Sequence, residues 1–383
     1  MSVLILTTHL LGTGHLSRAL TLARGLRAQG HEATVVSGGL PAPHLDDGTT
    51  EIIQLPPVKS DGLNFTHLLT VEGAPITQDG LKARTDALVQ IVRHRAPNVL
   101  ITELYPFGRR VLRDEFDAAL AVAKELAHPP LILSSVRDIL APPSSEKRAA
   151  WTEERLLSDY HGILVHADPS VITLDQSWPV TQQIAPLLRY TGFVAEQLPP
   201  AASNGPGRGD ILVTAGGGPV GQKLFETVID AAADRDFDCQ LRLLVGGGEA
   251  RLRPLRDRAA SLENVYVEPT RPDFRQMLQR ASLSISQAGY NTILDVALAG
   301  VRAIIAPFAE GGETEQTDRA RAYGNRLGLT IVPEADLSVE TMCAAIQDTL
   351  CKEPPGRFDI SIDGAMQSAT IIEDLLAQRG RNG

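Results

Sequence analysis

The chain has 383 residues, 43% of them hydrophobic, and a net charge of −10, which exceeds one ordinary domain and provides apolar material for two cores. The acidic balance argues against non-specific nucleic-acid binding, which needs a basic surface. No run reaches the roughly 18 uninterrupted apolar residues of a membrane span, and the opening MSVLILTTHL reads as a first strand, not a signal peptide.

Val3–Thr7 is a short apolar run expected of a strand buried on both faces. The loop HLLGTGH leads to a helix from about Leu16, with Leu20, Ala23 and Leu26 at helical spacing and Gly30 as its stop. Ala33–Ser37 is the second strand, ended by Gly38-Gly39, which makes a βαβ opening with a right-handed crossover. Residues 40–80, rich in Pro, Gly and Asp, carry only a weak strand at Glu51–Leu55. Helices are predicted over Leu81–Arg95, Asp117–Leu126 and Ser145–Ser158, strands over Val99–Thr102, Leu131–Ser134 and Ile163–His166, and a final first-domain strand ending at Tyr190–Val194. AEQLPPAASNGPGRGD, Ala195–Asp210, has no hydrophobic periodicity and reads as a linker.

The chain then restarts much as it began: strand Ile211–Thr214, glycine loop Ala215–Gly218, helix Val220–Ala233, strand Gln240–Val245 and a second glycine run at Gly246–Gly248. Further on come strand Leu283–Ser286, the turn QAG, helix Asn291–Ala299 and strand Arg302–Pro307. A loop at Gly311-Gly312 opens a helix carrying Glu313, Glu315, Gln316 and Arg319. Helices Val339–Leu350 and Ala365–Ala377 close the chain, the last free to pack back across both domains. The simplest architecture is α/β: two doubly wound Rossmann-like domains facing across a cleft, residues 1–194 and 211–383, joined by the linker 195–210.

In GTGHLSRA, Gly12 and Gly14 let a ligand approach the backbone, and the following helix N-terminus favours negative charge. A dinucleotide fingerprint wants glycine where Ser17 stands and an acidic residue where Ser37-Gly38-Gly39 stands, so NAD and FAD are disfavoured. His15 reads either as a helix cap or as a general base, and Arg18 as an orienting or phosphate-facing group or a surface charge. AGGGPVG lacks the Lys-Ser/Thr of a P-loop, which disfavours ATP hydrolysis; Gly216, Gly217 and Gly218 suit a diphosphate or a plain βα turn. The DxD patterns at Asp234–Asp236 and Asp236–Asp238 fall at the sheet end opposite such a pocket and read as a solvated turn. The histidines lack metal spacing, so no metal site is expected. Cys239, Cys343 and Cys351, without CxxC or zinc spacing, read as reduced thiols of a cytoplasmic protein.

From Ser284 to Tyr323, two strand–loop–helix units aim helix N-termini and polar side chains at the carboxyl end of a parallel sheet, as a nucleotide diphosphate would require. Asn291 and Asp295 share a helix face, from which the carboxylate suits ribose hydroxyls; Gln316 suits sugar hydroxyls. Glu315 with Arg319 is either part of that site or an ordinary surface ion pair. Tyr105 and Phe107 with Arg109, Arg110 and Arg113 form either a peripheral membrane or lipid-acceptor patch or an ordinary cleft helix.

GTGH at Gly12–His15, and QAGYNTILDVALAGVRAIIAPF followed by EQTDRA, resemble the GT-B glycosyltransferases of the family 28 type, the second match being the more specific. The chain looks closer to bacterial predicted glycosyltransferases that share only the MurG-like C-terminal domain, because residues 40–80 and 104–113 match no acceptor site of the peptidoglycan enzyme. The resemblance implies a nucleotide-sugar co-substrate, usually a UDP-sugar, in the C-terminal domain, no further cofactor, and an acceptor in the N-terminal one. By position it places Asp295 on the ribose, Gln316 on the sugar, Ala288 and Gly289 at the diphosphate with Asn291 and Thr292 beginning the donor helix, and Thr270–Arg271 at the base. It also implies metal-independent inversion, with His15 or Glu103 deprotonating the acceptor hydroxyl, and closure about the linker to exclude water. Whether the acceptor is lipid-linked or a small metabolite, and whether the protein touches the inner membrane face, stays open. GTGHLSRALTLA also resembles the GxGHxxR opening of UDP-sugar hydrolases, where the histidine activates water, and a non-catalytic nucleotide-sugar-binding subunit of a membrane-associated transferase is the reading from another class.

Overall fold

A computed structural model describes residues 1–60, 67–200, 205–216, 220–309, 314–358 and 360–382. The chain divides into two compact units, Met1–Glu196 with Ser361–Gly383, and Gln197–Ile360.

In the first unit, strands β1 (Ser2–Thr7), β2 (Glu32–Ser37), β3 (Glu51–Gln54), β4 (Val99–Glu103), β5 (Leu131–Arg137), β6 (Gly162–His166) and β7 (Leu188–Tyr190) form one sheet. It is parallel throughout and ordered β3-β2-β1-β4-β5-β6-β7. Ile5 is in register with Val35 on one side and Ile101 on the other. Both faces are covered by helices α1 (Gly14–Ala28), α2 (Gln78–Arg95), α3 (Arg113–Glu125) and α4 (Glu146–Asp159), which is why these strands read as unbroken apolar runs. Helix α3 begins four residues before the predicted Asp117, with Asp114 and Glu115 in its first turn, where carboxylates suit the helix dipole.

The second unit repeats the plan. Strands β8 (Ile211–Thr214), β9 (Leu241–Val245), β10 (Val265–Pro269), β11 (Leu283–Ser286), β12 (Ala303–Ile305) and β13 (Thr330–Ile331) are joined through α5 (Gln222–Asp234), α6 (Glu249–Ala259), α7 (Phe274–Leu278), α8 (Tyr290–Ala299), α9 (Glu315–Leu327) and α10 (Val339–Leu350). The order is β10-β9-β8-β11-β12-β13, again parallel. Ile211, Val213, Leu243, Ile285 and Ile304 form its core with Phe225, Val228, Met342 and Ile346.

The last strand of this sheet, β7, ends at Tyr190, within the range expected for its end; the chain beyond leaves the sheet to meet the C-terminal segment. The Phe193 amide donates to Ser361 O at 2.8 Å, the Gly364 amide to Phe193 O at 3.1 Å, and Val194 bridges Asp363. The second unit therefore ends at Ile360, not at residue 383, and the last helix, α11 (Gly364–Asn382), belongs to the first. It lies so close to α1 that a Cβ at Gly25 would stand 2.3 Å from Ala365 Cβ; glycine at that position permits the contact. Ala369 and Ile372 complete the core beside Leu22 and Leu26.

A buried ion pair fixes the first unit's loops. Arg84 of α2, fully buried, donates from Nε and Nη2 to Glu115 of α3 at 3.0 and 2.9 Å, and from Nη1 to Gly38 O at 3.0 Å and to Pro56 O. Burial pushes the Glu115 carboxyl up against the pull of Arg84. The pair ties the loop after β2 to two helices.

Candidate functional site

In both sheets the strand order reverses between the first and fourth strands, β1 and β4 in one, β8 and β11 in the other. The crevice outside the carboxyl ends at such a switch point is where open α/β sheets bind ligands. The chemistry-bearing residues of each unit collect there.

In the first unit, β4 ends at Glu103, 1% exposed, and α1 begins at Gly14, which places His15 in its first turn. His15 Nδ1 lies 2.9 and 3.0 Å from the two Glu103 oxygens, and Arg18, one turn on and buried, also donates to Glu103. Burial opposes the Glu103 charge, but His15, Arg18 and Arg109 outweigh it and hold the carboxyl well below the usual range. An ionised carboxylate only accepts, so Nδ1 carries the proton and Nε2 is the ring nitrogen left for a ligand. Burial, against the pull of Glu103, pushes the imidazole down to about 3, so it is neutral at pH 7. His15 therefore sits in the first turn of α1 with its Nδ1 held by Glu103, and Arg18 donates to the same carboxylate.

Around this cluster lie three groups that the sequence did not single out. His166, at the end of β6 and fully buried, bonds Ser135 Oγ and Thr191 Oγ1, each at 2.9 Å; burial and Arg18 push it down to about 3. His9, 3% exposed, packs its ring on Gly39, and burial and Arg109 lower it to about 4. Arg137, at the end of β5, acts on His15. The only sequence signal for these was their place one step past an apolar run.

The loop from β4 to α3 is strained. Leu104 and Arg109 have φ of 65° and 59°, a region non-glycine residues occupy at a cost. Arg109 Nε donates to Thr8 O at 2.6 Å. Tyr105 and Phe107 do not form a membrane patch: both are buried. Tyr105 stacks on Phe116 at 4.6 Å, meets Trp151 edge-on and donates its hydroxyl to Asp117, while Phe107 meets Trp178 edge-on at 5.0 Å. Their aromatic mass is core; Arg109 and Arg110 are half-buried, and Arg113 is exposed.

In the second unit, Gly216 follows β8 with φ 77°; Gly217 and Gly218 lie outside the described residues, as does Glu313. After β11, Gly289 is the N-cap of α8 and, as a glycine, makes no cap bond of its own. A helix N-terminus at the carboxyl end of a strand favours an anionic ligand. Asn291, Thr292 and Asp295 are half-buried on α8, and Asp295 is held by Arg275 Nε at 2.8 Å.

Helix α9 supports this turn from behind. Gln316 Oε1 accepts from Ala288 N at 2.9 Å and Phe308 N at 3.2 Å, so one side chain ties the loops after β11 and β12 together and takes the Ala288 amide that a diphosphate was expected to use. The Glu315–Arg319 pair, at 2.9 Å, is buried and not on the surface, and Arg319 Nη1 donates to Ala288 O at 3.1 Å. Glu315 therefore pairs with the arginine that holds this turn. Thr270 is exposed after β10; Arg271 is held by Asp273 at 2.8 and 2.9 Å and Glu268 at 3.2 Å. Asp234, Asp236 and Asp238 lie in the turn before β9, at the amino end of the strands and away from the switch point. Among the described residues no group of His, Cys, Asp and Glu is set to hold a metal.

Residues 211–358 match the glycosyltransferase family 28 C-terminal domain. The UDP-N-acetylglucosamine–N-acetylmuramyl-(pentapeptide) pyrophosphoryl-undecaprenol N-acetylglucosamine transferase of Rhodospirillum centenum is 33% identical over 150 residues, 38% of this chain and 39% of that one. The chain thus spans about two fifths of the length of such curated relatives. The crystal structure of Acinetobacter baumannii MurG superposes with a TM-score of 0.57 at 15% identity, covering 98% of this chain and 100% of that chain. The S. aureus MnaA–UDP co-structure gives 0.60 at 10% identity, covering 96% and 91%. The fold is of the GT-B type, and the match to the family 28 C-terminal domain falls within its second unit.

Proposed function

We propose that the protein is a glycosyltransferase that moves a sugar from a nucleotide-diphosphate sugar, a UDP-sugar, to an acceptor hydroxyl by one metal-independent, inverting displacement. The carrying observation is the family 28 match over 211–358, which spans the start of α8 and the Gln316 clamp. The relative from Rhodospirillum centenum is named for a UDP-N-acetylglucosamine donor, and the MnaA co-structure contains UDP.

In this reading the N-terminus of α8 faces the diphosphate, and fixed amide dipoles stabilise the charge that develops on the leaving group. Asp295, with Arg275, receives the ribose; the Gln316 amide nitrogen remains for the sugar; the backbone at Thr270–Arg271 meets the base. His15 Nε2 takes the proton of the acceptor hydroxyl as that oxygen attacks the anomeric carbon, and Glu103 stabilises the imidazolium that forms. The glycosidic bond forms as the bond to the diphosphate breaks, and the nucleoside diphosphate leaves with the electron pair.

The same dyad would deprotonate water, which makes UDP-sugar hydrolysis the second reading. Free sugar released at the full rate without an acceptor would select it. The first test is a thermal-shift panel of nucleotide sugars. A ligand at a hundred times its Kd stabilises the folded state by about 2.7 kcal/mol. Stabilisation by UDP and UDP-sugars is expected; stabilisation by NAD or FAD alone would overturn the proposal. Turnover unchanged in EDTA tests the metal-independent part.

A further inference from the structure

In the loop after β4 and at the start of α4, the first unit carries two arginines that, among the described residues, pair with no carboxylate. Arg110 opens the single turn before α3, next to the left-handed Arg109. Its Nη1 is buried without a hydrogen-bond partner. Burial and the charge of Arg148 both disfavour its protonated form. Arg148 is exposed near the start of α4. That helix turns one face to the loop between β4 and α3: Trp151 meets Tyr105 edge-on, Thr152 Oγ1 donates to Pro106 O at 3.4 Å, and Arg155 donates to Asp117 at 2.6 Å. Arg148 stands one turn before Trp151 and Thr152 on the same face, and its charge acts on Arg110.

Two like charges held together, one with an unmet buried donor, are disfavoured unless an anion joins them. A forked guanidinium pair suits a phosphate group above other anions. We propose that Arg110 and Arg148 form a phosphate subsite for the acceptor, so that the acceptor is a phosphate ester whose hydroxyl reaches His15. The inference rests on the reading of the first unit as the acceptor's. It differs from a membrane-insertion patch because Tyr105 and Phe107 are buried. The phosphate belongs either to a soluble ester or to a lipid head group.

The test is calorimetric titration of the full chain with inorganic phosphate at constant ionic strength, with UDP saturating so that phosphate is kept from the second unit. R110Q, R148Q and the double variant should weaken phosphate binding at least about tenfold, while their melting curves stay cooperative. R113Q removes an arginine already paired with Asp114 at 3.2 Å and 63% exposed, and should change it less than about twofold. Absence of phosphate binding in the wild type, or an equal loss in R113Q, overturns the proposal. UDP is titrated separately. If UDP does not bind, the donor assignment fails, while the difference between wild type and R110Q/R148Q still reads the pair. Sedimentation with phosphatidylglycerol and phosphatidylcholine vesicles then separates the sources. Pelleting with the anionic vesicles alone, lost in the double variant, indicates a lipid head group; arginine-dependent phosphate binding without pelleting indicates a soluble ester.

Discussion

Glu103→Gln is the sharpest perturbation of the first unit. The carboxylate has two accepting oxygens, both within 3.0 Å of His15 Nδ1, and one of them also accepts from Arg18. A carboxamide has one accepting oxygen, so His15 and Arg18 compete for it, and the remaining NH2 is a donor facing a donor. Two effects follow. The Nδ1–H tautomer loses its anchor and the imidazolium its counter-charge, which at a carboxylate-oriented histidine is worth about 10²–10⁴ in turnover. The Arg18 guanidinium, 3% exposed, is left beside a neutral group, and breaking a buried pair in this way costs about 3–5 kcal/mol. The assay is UDP release from UDP-sugar at a temperature where circular dichroism shows the variant folded, with UDP affinity measured in parallel. Turnover should fall by at least about a hundredfold with UDP affinity within about twofold. Turnover within threefold of wild type in a folded variant would refute the dyad, and a loss confined to UDP affinity would place Glu103 elsewhere in the chemistry.

Arg84→Ala leaves Glu115 buried without its partner and should cost about 3–5 kcal/mol in urea melts; an Arg84→Met/Glu115→Met double variant should recover most of it, and a single variant as stable as wild type would remove the pair from the fold's support. Gln316→Ala strips the acceptor from two backbone N–H groups and should weaken UDP-sugar binding by about 1–3 kcal/mol, read by calorimetry; unaltered affinity would separate the clamp from the donor site. His9, His15 and His166 are held below their ordinary 6.5, at about 4, 3 and 3. Their folded state stays neutral while the unfolded chain protonates, so the stability they contribute is complete above pH 6.5 and is lost as pH falls towards the folded values. Between pH 7 and 5 the loss should be about 5 kcal/mol, with nearly three protons taken up on unfolding at pH 5. His166→Gln should reduce that uptake by one, and stability equal at pH 7 and 5 would contradict the burial of neutral imidazoles.

The strands were legible because they are buried on both faces, so Val3–Thr7 and Leu283–Ser286 show as apolar runs that need no alternation to be found. Helix α6 was not, because EARLRPLRDRA turns only Leu252, Leu255 and Ala259 inward and carries Pro254 inside it. Without α6 there was no reason to expect β10 or α7 behind it. The terminal helix was visible, its partner was not. What places it in the first unit is the absence of a Cβ at Gly25 and the pairing of Phe193 with Ser361, contacts between residues far apart in the chain that no local pattern records.

The same distinction explains the site. Gln316 and the turn it holds at Ala288 lie in one short block of sequence, the stretch that spacing had already singled out. Glu103 and His15 are 88 residues apart and meet only because β1 and β4 are neighbours at the reversal of strand order. Tyr105 and Arg110 show the limit of composition. Side by side, aromatics and arginines describe an amphipathic patch, yet in the fold the rings enter the core against Phe116 and Trp178 and the guanidinium of Arg110 is left with Arg148. Both sheets reverse at the same step, so each unit places a crevice at the same topological position with opposite equipment. The second crevice holds a helix N-terminus, which favours an anion; the first holds a carboxylate, a neutral imidazole and arginines, which can take a proton and hold a charged partner. The proposed transfer needs both, and the repeated topology supplies one from each half of the chain.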